Sequence, residues 1–255
     1  SYGVSFLGTY NKNEVVEMGA ESQVITGGTI HGGTYTSRTL AGYPIGGFWL
    51  IPTDGYFNST EEVQAHQKDG VLIQPSAEPG DIRFKDTNND GTINDEDRVY
   101  CGSPFPKFTY SINGNITYKN VDFSIGFQGV TGNKIYNATK LELTDVTRGT
   151  NYLASTLDYW TPENPSNTYA RLEAQGPDGA TGAQRLHNRN FIRLDNISLA
   201  YTLPQKLTKK WQIDRVKLYA TVRNVATWAA DWEYADPETG GLATRTYTFG
   251  LNLTF

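Results

Sequence analysis

This 255-residue chain is short of several things, and each shortage closes off a class of function. It has one cysteine, Cys101, so it has no internal disulfide framework. Its three histidines, His31, His66 and His187, are scattered and fit no zinc-ligand spacing. Positive charge is scarce too: 22 Lys and Arg stand against 27 Asp and Glu, a net charge of −5. A nucleic-acid binder would show a basic footprint, and none exists. No stretch approaches the ~18 apolar residues of a membrane-crossing helix. Catalytic signatures are also missing. There is no Gly-x-Ser-x-Gly, no His-Glu-x-x-His and no phosphate-binding glycine loop, so the chain does not read as an enzyme.

Tyrosine and glycine are abundant instead, at 16 and 26 residues, and aromatics reach 13%. A disordered chain is not this aromatic. Period-two alternation, the signature of strands, appears six times. The clearest case is the end of the chain. Tyr247, Phe249, Leu251, Leu253 and Phe255 alternate with Thr248, Gly250, Asn252 and Thr254. The others centre on Tyr2–Tyr10, Phe108–Tyr118, Val121–Phe127, Ile197–Leu203 and Val216–Val222. Stretches of about ten residues suit a tilted crossing of a bilayer, and aromatics cluster near their ends as in interfacial girdles. Connections alternate between turns, such as Lys119-Asn120, and long loops at 11–107, 130–189 and 227–244. Long loops on one side and short turns on the other mark an outer-membrane barrel more than a soluble sandwich. With the long loops outside, the last strand runs inward. Phe255 then sits at the periplasmic end as a terminal aromatic of the kind read during outer-membrane assembly. The first ten residues lack the basic and apolar regions of a signal peptide. Six strands alone leave two bare edges, which lipid does not tolerate. The expectation is the last six strands of a larger barrel.

Several segments, in order, carry a resemblance. They are Gly42-Tyr43-Pro44-Ile45-Gly46-Gly47-Phe48, the stretch Pro79–Arg98, Phe127-Gln128-Gly129, Gly132–Asn137, Tyr159–Pro165, Phe191–Leu199 and Tyr201-Thr202-Leu203-Pro204. Together they resemble the C-terminal part of the SusC/RagA family of TonB-dependent outer-membrane transporters of Bacteroidetes. The resemblance implies an all-β fold: six antiparallel strands closing a 22-stranded transmembrane barrel, with long extracellular loops that contain short helices. It implies a plug domain that is absent from residues 1–255, a SusD-like surface lipoprotein as partner, and energy from TonB-ExbB-ExbD. The function it implies is import of large nutrients, glycans or oligopeptides, across the bacterial outer membrane. Two other readings stay open: a barrel subunit of a larger envelope complex without import, and a calcium-stabilised extracellular β domain that binds glycan or protein.

One motif carries chemistry of its own. Asp86-x-Asn88-x-Asp90-Gly91-Thr92-x-Asn94-x-x-Asp97 fits a twelve-residue calcium loop. Oxygen side chains fall at positions 1, 3, 5 and 9, the Thr92 carbonyl at 7, and Gly91 provides the sharp turn at 6. Position 12 is Asp97 in place of glutamate. Ile93 is expected to pack inward behind the loop. The cofactor expected is therefore a structural Ca²⁺. Ser59 and Glu62 form a capping box that opens a short helix through His66. Residues 133–143 and 151–160 read as further loop helices. Trp228, Trp232 and Tyr234 fall in the last long loop, where aromatic faces suit sugar rings. Asp122, Gln128, Lys217 and Arg223 fall on the polar side of their strands.

Overall fold

The structure is a computed structural model that describes every residue except 20–22, 31–33, 145–150, 167, 173–181 and 233–234. The chain divides into two compact units.

The first unit comprises residues 1–12, 105–134 and 188–255 and is built on one six-stranded sheet. Its strands are β1 (Tyr2–Tyr10), β2 (Phe108–Tyr118), β3 (Val121–Thr131), β4 (Phe191–Thr202), β5 (Arg215–Ala229) and β6 (Thr246–Thr254). Each strand pairs only with its neighbours in the chain, and every pairing is antiparallel. The β2–β3 turn is tight because Lys119 takes the left-handed conformation, with φ of 53°.

Residues directly opposite in an antiparallel pair share a face of the sheet. The register aligns Phe6 with Ile112, Ile112 with Phe127, Phe127 with Leu194, and Leu194 with Ala226. Lower down, Leu199 stands between Phe123 and Ala220, and Ala220 pairs with Phe249. One face is thus apolar from edge to edge. The other carries rows such as Asn115, Ser124, Ser198, Thr221 and Thr248. The apolar face is not a core. Leu199 is 52% exposed and Leu218 48% exposed although each has a strand on both sides. An uncovered apolar surface of this extent marks a membrane or interaction surface.

Two strands are longer than alternation alone suggests. Beyond Asn196 the pairing with β3 and β5 shifts by one residue, leaving Asp195 as a bulge. Opposite it, Asn224 has φ of 52°. The bulge at Asp195 inverts the alternation of β4, which begins at Phe191, whereas β5 keeps its alternation past Asn224 and continues to Ala229. The last loop therefore starts after Ala229, not at 227.

The second unit comprises residues 13–104 and 135–187. It contains a four-stranded sheet of Ile25–Thr26, Ser37–Thr39, Gly47–Leu50 and Val99–Gly102, and a smaller pair of Thr53–Tyr56 with Ile82–Phe84. Phe48, Leu50, Tyr136 and Leu141 form one apolar core, with Cys101 packed against it. Burial there pushes the Tyr136 hydroxyl up to about 12. Ile51, Ile82, Phe84 and Ala170 form another, with Ile93 against it, as the inward position of Ile93 suggests.

The helix α1 (Thr60–Ala65) is capped by Ser59, whose hydroxyl accepts from Glu62 N–H. The reciprocal bond differs from a strict capping box. Glu62 accepts from Asn58 N–H, 2.9 Å away, one residue before the cap. The expected helix over 133–143 is shorter. Only α2 (Ala138–Thr144) is α-helical, because Lys134–Tyr136 is extended as a strand. Within 151–160 only a 3₁₀ turn at Ala154–Asp158 forms.

Candidate functional site

Two constructions stand out, one in each unit. In the second unit, the calcium-like loop 86–97 is organised by its own side chains. The Asp86 carboxylate accepts from Asp90 N–H at 3.1 Å and from Gly91 N–H at 2.7 Å. Gly91 has φ of 91°, the left-handed turn that a side chain rarely adopts. Asp90 accepts from the Thr92 hydroxyl and Thr92 N–H, both at 2.8 Å, and from the Asn88 amide at 2.9 Å. These bonds, led by the Thr92 hydroxyl and the Asn88 amide, hold the Asp90 carboxyl below the usual carboxylate range. Asn94 caps a 3₁₀ turn at Asp95–Asp97 and accepts from Glu96 N–H at 2.7 Å.

Asp97, at position 12, is fully buried. One carboxylate oxygen accepts from Thr87 N–H at 2.7 Å, the other from Asn94 N–H at 2.9 Å. It ties the start of the loop to its end. The Lys68 ammonium bonds the Asn89 carbonyl on the outside. Among the described residues no three His, Cys, Asp or Glu side chains converge as a metal group.

The loop is joined to the four-stranded sheet by charge. Arg98 bonds Asp95 at 2.7 Å and the carbonyls of Tyr35 and Trp49 at 2.9 and 3.2 Å. Arg38 and Arg98 both lie against the Tyr35 ring, at 4.9 and 4.6 Å from its centre. Burial pushes the Asp95 carboxyl up, but bonds from the Tyr35 hydroxyl and Arg98 outweigh it and leave the group below its ordinary value.

In the first unit, the polar face of the sheet carries few charges. Lys217 pairs with Asp122 at 2.7 Å, and Arg223 stands 3.9 Å from Asp195. Gln128 reaches Glu238 at 3.4 Å. The densest group was not foreseen from sequence. Arg193 on β4 bonds Asp236 at 2.5 Å, Glu238 at 2.6 Å and the Thr227 hydroxyl at 3.0 Å. Arg193 and Asp236 are both buried.

Of the three loop aromatics, Trp228 and Trp232 are among the described residues. Trp228 lies on β5 instead of in the loop, opposite Ile192 on the apolar face. Trp232 donates its indole N–H to the Ala235 carbonyl at 3.1 Å and lines a cavity of about 430 Å³. Tyr234 lies outside the described residues, as does His31. Phe255 follows β6 and is exposed.

Comparison with known proteins decides the family. The chain is 31% identical, over 96% of its length, to TonB-dependent receptor P26 of Formosa agariphila. It is 28% identical over 72% of its length to TonB-dependent receptor SusC of Bacteroides thetaiotaomicron. The chain belongs to the SusC/RagA-like family of TonB-dependent receptors and matches its C-terminal part. It spans about a quarter of the first relative, 26%, and 18% of SusC. No family model matches the chain. Among solved structures, the RagAB peptide transporter superimposes on all of this SusC/RagA-like chain and on 27% of its own, with a TM-score of 0.74 at 20% identity. The same complex described as a peptide importer in an open-open state gives a TM-score of 0.70. At these identities the likeness is one of fold: this mainly β chain matches a piece of a receptor of that type.

Proposed function

We propose that this chain is part of a TonB-dependent importer in the bacterial outer membrane. Its six strands belong to a 22-stranded barrel, with the apolar face toward lipid, the polar face toward the lumen and the long connections outside the cell. The whole receptor takes up large nutrients, glycans or oligopeptides, together with a SusD-like surface lipoprotein, and draws energy through TonB-ExbB-ExbD. One observation carries this reading. The sheet is apolar on one face and polar on the other across all six strands, and the apolar residues remain exposed between neighbours. Kinship with TonB-dependent receptors over nearly the full chain supports it. The test is growth of a strain lacking the full-length gene on a panel of glycans and oligopeptides as sole nutrient. Loss of growth on one class, restored by the gene, is expected. Unchanged growth on every member counts against import.

We also propose that the loop 86–97 takes a structural Ca²⁺ through Asp86, Asn88, Asp90, the Thr92 carbonyl and Asn94, with Asp97 closing the ring. The N–H bonds to Asp86 and Asp90 leave lone pairs on both carboxylates and fix their directions. Chelation of the full-length receptor is expected to speed protease cutting within 86–97, and added Ca²⁺ to slow it again. Asp90→Ala is expected to abolish the calcium effect. Equal cutting with and without chelator overturns this assignment.

A further inference from the structure

The last connection of the sheet is not a free loop. Its residues 235–241 lie against the polar face of the strands, and one side chain organises the contact. Gln128 on β3, Arg193 on β4 and Thr227 on β5 are direct register partners and form a row across three strands. Arg193 is the centre of that row. Its guanidinium gives Nε to the Thr227 hydroxyl, one terminal nitrogen to Asp236 and the other to Glu238. Its charged carbon lies 5.2 Å from the centre of the Phe191 ring. All three nitrogens are thus occupied, two of them by residues of the connection. The planar fork suits this arrangement, and a lysine ammonium does not reproduce it.

The connection is shaped to be held in this way. Asp236 gives one oxygen to Arg193 and uses the other to accept from Glu238 N–H at 2.9 Å and Thr239 N–H at 3.0 Å. Gly240 N–H returns to the Asp236 carbonyl at 2.8 Å, and Gly240 has φ of 73°. The result is a closed turn whose two acidic residues, Asp236 and Glu238, both reach Arg193 on the sheet. Arg189 adds bonds to the carbonyls of Pro237 and Glu238. Upstream, Asp231 accepts from Asn188 N–H at 2.7 Å and from its side-chain amide at 3.1 Å.

We infer that residues 235–241 are a fixed strap on the inner wall of the barrel, and that Arg193 is the positioning residue that holds it there. The inference rests on the reading of the polar face as the lumen wall. The strap then narrows the lumen beside β3, β4 and β5 permanently, in contrast to a loop that swings outward with the cargo. The cavity lined by Asn224, Thr227, Trp232, Asp236 and Arg245 lies within the same construction. Solutes entering along this wall meet a rim whose shape depends on a buried ion pair.

The test uses the full-length receptor in lipid, spin-labelled at Thr239→Cys, with control labels at Thr221→Cys and Leu199→Cys. The Thr239 label is expected to be immobilised in the parent. Arg193→Ala or Asp236→Asn is expected to increase its mobility several-fold and leave the Thr221 label unchanged; Arg193→Lys is expected to restore only part of the order. Glu238→Gln is expected to have the smaller effect, because Glu238 is half-exposed. An unchanged Thr239 label in Arg193→Ala overturns the inference. So does loosening of the Thr221 label to the same degree, which marks general unfolding. Failure of the lumen reading looks different. The Leu199 label would be reached by a water-soluble relaxation agent and the Thr221 label by lipid-dissolved oxygen, whatever Arg193 does.

Discussion

At the scale of single residues, the buried pair of Arg193 and Asp236 is the costliest contact to disturb. Removing one member of such a pair strands the other charge in a dry site, at roughly 3–5 kcal/mol. Burial pushes the Asp236 carboxyl up, but the Thr239 N–H, the Arg193 bond and the Glu238 N–H outweigh it, and the group ends below its ordinary value. A carboxyl lowered by folding contributes fully above its unfolded pKa of about 3.9 and loses that contribution as pH falls through the lower folded value. The charged groups around it are Arg193, Glu238 and Arg189. The Thr239 label is therefore expected to stay immobile down to about pH 4 and to loosen only below that. Loosening already near neutral pH would assign the hold to another group. Glycines offer a second check. A methyl group at Gly129 meets the Phe191 carbonyl oxygen at 2.6 Å and the Tyr110 ring at 2.5 Å, whereas one at Gly114 meets only an Ile125 methyl at 3.4 Å. Gly129→Ala is expected to lower the yield of heat-modifiable barrel several-fold, with an overpacking cost of about 1–3 kcal/mol, and Gly114→Ala to leave it nearly unchanged.

At the scale of elements, the strands are legible wherever period two runs unbroken. Tyr247–Phe255 and Phe108–Tyr118 show their faces directly in the sequence. The first residues of β4 do not, because Asp195 inserts a step that inverts the alternation; in β5 the parity of Val222 carries on to Ala226 and Trp228, but the polar Asn224 interrupts the apolar series. That interruption places Trp228 in the loop when the sequence is read alone. The calcium-like loop was legible because its oxygen residues lie within twelve positions. The strap was not, since Arg193 and Asp236 are separated by 43 positions and each looks ordinary locally. In Asp236-Pro237-Glu238-Thr239-Gly240 the sequence signals only a turn. The bulge can be tested. Asn224 has φ of 52°, so Asn224→Gly is expected to be neutral, while β-branched Asn224→Val is expected to cost about 1–2 kcal/mol in urea unfolding from lipid. Equal stability of the two variants would show that the bulge relaxes.

For the whole molecule, the two faces of the sheet predict opposite tolerance to charge. Leu199 and Ser198 are adjacent on β4 and point to opposite faces. Leu199→Lys is expected to reduce assembly in the membrane by about 2–4 kcal/mol if it falls near the bilayer centre, and Ser198→Lys to be tolerated. Similar losses for both would speak against the barrel. The sheet's sequential order has a further consequence for how the protein is made. β1 and β2 are paired from Tyr10 with Phe108 onward, yet about a hundred residues separate them. Closing an unstructured loop of that length costs roughly 4 kcal/mol beyond a constant term. The segment between them supplies Phe48 and Leu50 to one apolar core and Ile51, Ile82 and Phe84 to another, but Tyr136, Leu141 and Ala170 of the next long connection complete them, so it collapses fully only together with that connection. Once it has, the ends of β1 and β2 search a much smaller space. The two long connections then act together as a folding aid, and the speed with which this hairpin closes depends on residues outside its own sheet.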